Sequence, residues 1–588
     1  MSLSIALQNA LSGLQVSKTA LDVISSNVAN VNTEGYTRKI ANLQTAVVGG
    51  EGRGVQISSI TRNVNDILVR NIRTEQSASG KADVENDFFA RTQELFGTLG
   101  SNSSLGTTIT NFSTALNAAA ATPENMTLRT KAIDAAVALT RQLNDMSAKI
   151  QSLRSNADQE ISNSLTTVNQ QIATIADLNI QINRAATLHG PYGDLLDKRD
   201  QALNTIAKEM DVTSFERDAG SLVLMTGDGR VLADLSTKSL SHLPAAALDA
   251  SVSYPASIDG IKLDGADISA SITSGRLAGL INMRDKDLPN LQTQLDSLAT
   301  TLKTEINKLH NAGAGSPPAG TLTGTATVTG GGAAVFSGTG IARIAVVKSD
   351  GTFASAPFDL NLASVATVGG LVSAINTNLA GYATASLNAN NQLVITADNT
   401  GDGVAINENT SSVGGIGLSS YFGLNDFFVG SSAVSLAGSI AVRSDIATSP
   451  QLLSSGTLNN ASAGGITAGT TTAVGPGDGT ALQAMMNAFH TSYAFSASGG
   501  LPAVTTTIAE YSNQILADNA SKTAAADDNA KYHTTLLNDI KAKSAAISGV
   551  NMDEELSNLI IYQTAYAAAA RVVTTASEMM DILERMMG

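Results

Sequence analysis

Hydrophobic positions at the two ends of the chain follow the same template. At the start, Leu7, Leu14, Leu21 and Val28 recur every seven residues, and Leu3, Ala10, Ile24 and Val31 fill the interleaved positions. At the end, Leu559, Tyr562, Tyr566, Ala569, Val573, Ala576, Met580 and Leu583 advance by alternating steps of three and four. That spacing keeps one narrow apolar stripe facing a partner helix along its whole length. A solitary helix of roughly 30 residues with so narrow a stripe gains most of its stability from docking it. The pattern predicts that the terminal helices pair with each other and with copies from neighbouring subunits. Leu7, Leu14, Leu21, Ile24, Val28, Leu559, Tyr562, Val573, Met580 and Leu583 would carry that interface. A coiled coil closed within one subunit is the plainer alternative. Both ends are expected to stay mobile until assembled.

Between the ends the texture alternates. The first helix runs out at Asn27–Asn32, where Asn and Gly favour a turn, and Tyr36 and Arg38 just beyond suit either that turn or an interface. Alternation in Val55-Gln56-Ile57-Ser58-Ser59-Ile60 predicts a short strand or extended arm. Helical spacing returns near Asn65 and continues, with breaks, to about Met210. Thr122-Pro123-Glu124 reads as a helix start, with Thr122 capping and Pro123 at the first helical position. Stripes at Ile133, Val137, Leu143, Met146, Ile150 and Leu153, and again at Ile161, Leu165, Val168, Ile172, Ile175 and Ile182, predict a long antiparallel helical hairpin. Only Asn179 interrupts the second stripe.

Ser221–Met225, Gly227-Asp228-Gly229 and Arg230-Val231-Leu232 then read as a β-hairpin. Leu277–His310 is helical, and Ala312–Gly320 is a Gly-, Pro- and Ser-rich linker. Thr321–Ser435 reads as a small β-rich insert with alternation in Ile341–Val347 and Asn391–Ile395, interrupted by one helix near Val365–Leu379. Helix resumes from Ala481 to the end. The expected fold class is α+β multidomain: an α-helical coiled-coil rod formed by the N- and C-terminal segments, with inserted β-rich outer domains. The expected units are 1–35 with 550–588, 36–211 with 475–549, 212–312 with 436–474, and the insert 313–435.

Composition narrows the chemistry. With 588 residues the chain has room for several domains. A net charge of −15 argues against a nucleic-acid surface, which needs clustered Lys and Arg. Without cysteine there is no disulfide and no thiolate metal site, which suits a protein that travels unfolded through a narrow export path. No stretch approaches the roughly 18 apolar residues of a membrane span. Met1–Leu11 lacks the basic, apolar and small-residue pattern of a secretory signal, so export is expected to use an uncleaved signal.

Enzyme signals are thin. His189, His242, His310, His490 and His533 are scattered, with no His-Glu-x-x-His spacing. Gly49-Gly50-Glu51-Gly52-Arg53-Gly54 lacks the Lys-Ser/Thr of a phosphate loop. Asp398–Gly403 begins like a calcium loop, but Thr400 stands at its third position and Asn409 at its twelfth, where a bidentate Glu is needed. Asp194, Asp197, Arg199 and Asp200 read as a capped, salt-bridged helix start rather than a catalytic or metal cluster. No catalytic residue, cofactor or metal site is assigned.

Several motifs carry a resemblance. Leu11-Ser12-Gly13-Leu14 with Ser26–Arg38, including Asn30, Gly35 and Tyr36, is similar to a signature shared by flagellar axial proteins. Leu95-Phe96-Gly97, Ser104-Leu105-Gly106, Asn111-Phe112, Thr122–Glu124 and Arg129 resemble the FlgK-type hook-associated family. So does Asp194-Leu195-Leu196-Asp197-Lys198-Arg199-Asp200, the most discriminating motif. Ser548–Glu555 through Ile582 matches the shared axial C-terminus. The resemblance covers about 1–310 and 475–588 and implies a structural, non-enzymatic subunit at the junction of bacterial hook and filament. The implied partners are further copies in a ring, the hook protein, a second hook-associated junction protein, a cytosolic export chaperone at the C-terminal helix, and the flagellar type III export apparatus. Another axial protein (hook, distal rod or flagellin-like) is the alternative, and a surface adhesin or enzyme seated in Thr321–Ser435 a more distant one.

Overall fold

The computed structural model describes residues 3–48, 51–96, 104–188, 190–217 and 220–587. Gly97, His189 and the pair Gly49-Gly50 of the motifs above lie outside these residues. The first helix, α1 (Leu3–Ala29), gives way to an antiparallel hairpin of β1 (Lys39–Val48) and β2 (Glu51–Arg62). The arm expected around Val55–Ile60 is therefore half of a paired ribbon. Asn27 pins the ribbon to the last turn of α1, its amide donating to the Lys39 carbonyl at 2.9 Å while its carbonyl accepts from the Lys39 N–H at 3.0 Å. Gly35 turns the chain there at φ +77°, and a Cβ would stand 2.2 Å from the Gln201 side chain.

A bundle follows, built from α2 (Asp66–Phe96), α3 (Leu105–Ala121), α4 (Met126–Thr187) and α5 (Gly193–Glu209). Helix α4 corrects the expected hairpin: it is one rod of 62 residues, about 93 Å long at 1.5 Å per residue. Its sequence holds neither Gly nor Pro, so nothing can turn the chain. Ala157 carries the buried line from Leu153 to Ile161 without a gap. The start of α4 is also corrected. Asn125 caps it, accepting from the N–H groups of Thr127 and Leu128, whereas Thr122 ends α3. The Asn carboxamide reaches two free amides of the first turn, and Pro123 stays in the intervening turn, its carbonyl accepting from buried Arg129 at 2.5 Å.

The strands β3 (Val212–Glu216), β4 (Leu222–Thr226) and β5 (Val231–Ala233) form one sheet in that order, with Gly229 at φ +85° in the expected turn. Asn179, the interruption in the α4 stripe, is fully buried. Its amide donates to the carbonyls of Leu222 and Asp234, and its carbonyl accepts from the Leu222 N–H. The polar residue thus stitches sheet to helix. Helices α6 (Gly275–Asn282) and α7 (Leu288–Ala312) are joined by a π-helical turn at Met283–Asp287, where buried Arg284 bonds Asp158 and Asp285.

The insert has its own apolar core, including Leu322, Ile344, Leu371 and Phe422. Strand Ile341–Val347 lies between Phe358–Asn361 and Gly403–Asn407, while Leu393–Ala397 lies between Ala383–Leu387 and Thr321–Thr323. Helices α8 (Val368–Asn378), α9 (Leu418–Phe422) and α10 (Ser444–Thr448) accompany it and its exit. The Ala312–Gly320 segment is not a loose tether, because Ala314 is buried and its N–H donates to the Gly456 carbonyl at 2.8 Å.

After α11 (Thr480–Ala488) the expected continuous helix is broken by a small ribbon, Tyr493–Phe495 with Val504–Thr506. Phe495 leaves the helix to stack on Tyr511, centroids 3.8 Å apart. Then α12 (Ile508–Ser548), opened by a Thr507–Glu510 capping box, packs along α2. Gly549–Asn551 leads to α13 (Met552–Met587). Among the described residues, the bundle core runs from Val84 to Leu516 and takes nothing from α1, β1, β2 or α13.

Candidate assembly interface

α1 packs along α13. The end of α1 meets the start of α13, because the Asn27 amide donates to the Glu555 carboxylate at 3.1 Å, so the two run antiparallel. Arg38 clamps the same corner, its guanidinium reaching Glu555 and Glu554 at 2.7 Å each. Burial pulls the Arg38 pKa down, but hydrogen bonds and charge from the two glutamates outweigh it and leave the group raised. Asp553, Glu554 and Glu555 occupy the first turn of α13, where the helix dipole favours acids.

The seam residues named from the sequence divide between closed and open positions. On α1, Ile24 is buried, and Leu7, Leu14, Leu21 and Val28 are half-buried. The deepest line on this helix is Val16, Ala20, Ile24 and Asn27. On α13, Leu559, Tyr562 and Val573 are half-buried beside buried Ala576, while Met580 and Leu583 are exposed. The seam therefore closes in its middle and opens toward the end of α13.

The two helices are not equally covered, and periodicity alone gives no sign of this. The β1–β2 ribbon lies on α1 as well, and the Ser12 hydroxyl accepts from the Val55 N–H at 3.2 Å. Gly54, at φ +99°, permits that approach, since a Cβ would stand 2.0 Å from the Ser12 oxygen. α13 has no such second neighbour among the described residues. It leaves further apolar side chains on both sides of the seam, Leu556, Ile560, Val572, Met579, Ile582 and Met586, in solvent, with Ile560 63% and Met586 80% exposed. Exposed apolar area of this extent on one helix marks an interaction surface.

The motif residues converge at the root of the ribbon. Asn30 donates to the Ser26 carbonyl, and the Tyr36 hydroxyl donates to Asn27 at 2.9 Å. Lys39 lies over the Tyr36 ring, 3.4 Å from its centroid. Asp197 is buried and accepts from Lys39 at 2.5 Å, from the Thr37 hydroxyl at 2.6 Å and from Arg62 at 3.0 Å. Asp200 accepts from Arg62 at 2.7 Å and from Arg73 at 2.6 Å. Burial lowers the Arg62 pKa, but Asp200 and Asp197 together hold it above its usual value. Arg199 points the other way, to the Gly220 carbonyl at 2.6 Å and to Glu216, and its burial pulls its pKa down. Leu196 lines a cleft of about 540 Å³ between β2, α2, α5 and β3.

These acids were expected to cap the start of α5, but Tyr192 precedes that helix without a side-chain cap. They bind cations brought from elsewhere in the chain. Lys39, Arg62 and Arg73 carry no local signal in the sequence, because their partners lie more than a hundred residues away.

The remaining candidates resolve into packing. His310 is buried between the Asn425 carbonyl and the Ser454 N–H. His242 contacts Asp158, and His533 contacts Glu75. Asp398–Gly403 is a turn in which Thr384 and Asn399 satisfy Asp398 and Asp402. Among the described residues, no group of three His, Asp or Glu side chains could hold a metal ion, and no helix is long and apolar enough to cross a membrane.

Comparison with known proteins gives a consistent set of matches. Residues 89–326 match the helical domain of flagellar hook-associated protein FlgK. Residues 7–37 match the flagella basal body rod protein family, and 543–586 match the C-terminal family of the flagellar basal body rod proteins FlgEFG. Flagellar hook-associated protein 1 of Escherichia coli (strain K12) is 26% identical over 591 residues, 99% of each chain. The protein of that name from Salmonella typhimurium is 26% identical over 319 residues, 53% of this chain and 57% of its own. The Bacillus subtilis protein is 22% identical over 249 residues, 40% of this chain and 49% of its own. A solved flagellar hook junction protein FlgK from Burkholderia pseudomallei aligns over 81% of this chain and all of its own, with 16% identity and a TM-score of 0.48. With a rod-type signature at each terminus and the FlgK helical domain between them, the chain is similar along its length to the FlgK-type flagellar hook-associated protein 1 family.

Proposed function

We propose that this protein is a non-enzymatic building block of the bacterial flagellum, joining hook to filament and required for the filament to assemble. The single observation that carries the reading is the α1–α13 pair, which shares no apolar core with the bundle and leaves much of the apolar surface of α13 uncovered. In a ring of copies that surface meets its neighbours. Burying one Leu-sized side chain stabilises by about 1.5–3 kcal/mol, and repetition around a ring multiplies the effect.

The assembly-interface residues are those of the seam, with the exposed apolar side chains of α13 added. The ring sits between the hook protein on one side and a second hook-associated junction protein on the other. Before assembly, an export chaperone covers α13, because so large an apolar face needs masking in solution. The chain leaves the cell through the flagellar type III apparatus without a cleaved signal. A chain without cysteine has no disulfide to oppose that passage.

The test is a deletion strain complemented with a tagged copy and viewed by electron microscopy. The expected result is intact hooks without filaments in the deletion, flagellin in the medium, and label confined to the hook–filament boundary on complementation. Normal filaments in the deletion strain would refute the assignment.

A further inference from the structure

α1, β1, β2 and α13 form a terminal unit joined to the bundle by only two chain crossings, at 63–65 and 549–551. No residue of that unit enters the bundle core. Its principal contact with the body is β2 against α5, and that contact is ionic. From the terminal side come Lys39 and Arg62; from the body come exposed Asp194 and the more buried Asp197 and Asp200, with Arg73 of α2 also holding Asp200. The cleft beside Leu196 and Phe215 opens next to this contact, with Arg62, Arg73 and Asp200 on its wall. An element held by an ionic network beside open space and tethered by two short crossings is a hinge with a latch.

We propose that Asp197 and Asp200 are positioning residues that set the angle of the terminal unit on the bundle. The latch has two properties that a greasy contact would lack. Arg62 bridges both carboxylates, and Asp197 also accepts from the Thr37 backbone N–H at 3.2 Å, so the geometry is fixed in direction as well as distance. The same corner continues through Asn27 and Arg38 to Glu555, so α5 governs the pose of both terminal helices through one connected network. The Asp194–Asp200 motif then orients the two terminal helices from within the body of the molecule. Variants without the latch still pair α1 with α13, but they present the pair over a spread of angles. This inference concerns the isolated molecule and does not depend on the flagellar assignment.

The absence of cysteine allows the test to be made in the full chain. Spin labels at Gln44→Cys on β1 and Thr166→Cys on α4, both exposed, report the distance between terminal unit and body. The parent is expected to give one narrow distribution. Asp197→Asn with Asp200→Asn is expected to lose it, with the circular dichroism and thermal unfolding of the bundle unchanged. Arg62→Gln alters only the terminal side, and is expected to lose the narrow distribution even if the double variant destabilises α5. Asp200→Lys with Arg73→Glu is expected to broaden the distribution, because Arg62 then faces a like charge at position 200. Asp200→Glu is expected to restore a narrow one. A narrow distribution retained in both Asp197→Asn/Asp200→Asn and Arg62→Gln would overturn the proposal.

Discussion

Asn27 and Glu555 are 528 positions apart in the sequence and share a hydrogen bond of 3.1 Å. Glu555 is 1% exposed and also holds Arg38 at 2.7 Å. Removing the carboxylate leaves a buried amide and a partly buried guanidinium without their acceptor. Glu555→Ala is therefore expected to cost about 3 kcal/mol within the terminal unit. Amide exchange at Val16–Asn27 should speed by roughly a hundredfold on that figure. Glu554, whose side chain is 52% exposed, is the control: Glu554→Ala should cost under about 1 kcal/mol.

The two faces of α13 should separate pairing from assembly. Ile560→Asp or Ile582→Asp places a charge on the exposed apolar surface, so the α1–α13 pair should keep its exchange protection while filaments fail to form. Leu21→Asp or Val573→Asp places a charge in the half-buried seam, so both pairing and filaments should be lost. Exchange mass spectrometry reads the first property and electron microscopy of complemented cells the second.

Acid should weaken the joint at which the insert meets the bundle. Burial holds His310 neutral down to about 3, against an ordinary value near 6.5. Its Nδ1–H donates to the Asn425 carbonyl, and its Nε2 accepts from the Ser454 N–H. The folded pKa is depressed, so between those two values the unfolded chain takes up a proton that the folded chain refuses. Stability is then full above about pH 6.5 and falls as pH drops, by at most about 1.4 kcal/mol per unit. Denaturant unfolding across this range should show the slope, and His310→Gln should flatten it.

Asn179 should behave as a structural polar residue. Asn179→Ala leaves the Leu222 N–H, the Leu222 carbonyl and the Asp234 carbonyl unmatched in a buried setting. The expected loss is about 3 kcal/mol, read as early unfolding of the β3–β5 sheet in exchange experiments.

The continuity of α4 can be tested at its middle. Ala157→Pro removes a helix hydrogen bond and inserts a ring at a fully buried point, at a cost of about 3 kcal/mol or more. A hairpin with its turn near Ala157 would accept the same proline readily, so thermal melting separates the two architectures.

Much of the fold was legible in the chain because it rests on short-range rules. The stripes at Leu7–Val28 and Leu559–Leu583, the β-hairpin around Gly229, the strand Ile341–Val347 and the helix near Val368 each follow from local periodicity and turn chemistry. The errors came where breaks had to be placed. The two stripes part between Leu153 and Ile161, where Ala157 weakens the apolar signal, although nothing there could form a turn. Thr122-Pro123 looked like a helix start because Asn125, three positions on, is an equally good cap. The candidate site was legible only by half. The family motifs held Asp197, Asp200 and Glu555, but Lys39, Arg62 and Arg73 reach the corner through tertiary folding, which periodicity does not encode. The uneven coverage of α1 and α13 was hidden for the same reason, since it depends on where β1 and β2 lie down.

The pairing of α1 with α13 also carries a consequence for biosynthesis. The partner that α1 needs is translated among the last residues of this sequence, so no nascent or prematurely terminated chain can close the corner at Glu555. A product cut short before that helix would offer α1 and its ribbon but not the outward apolar surface. Synthesis through α13 thereby becomes a physical requirement for closing the corner, a proofreading step that needs no separate inspector.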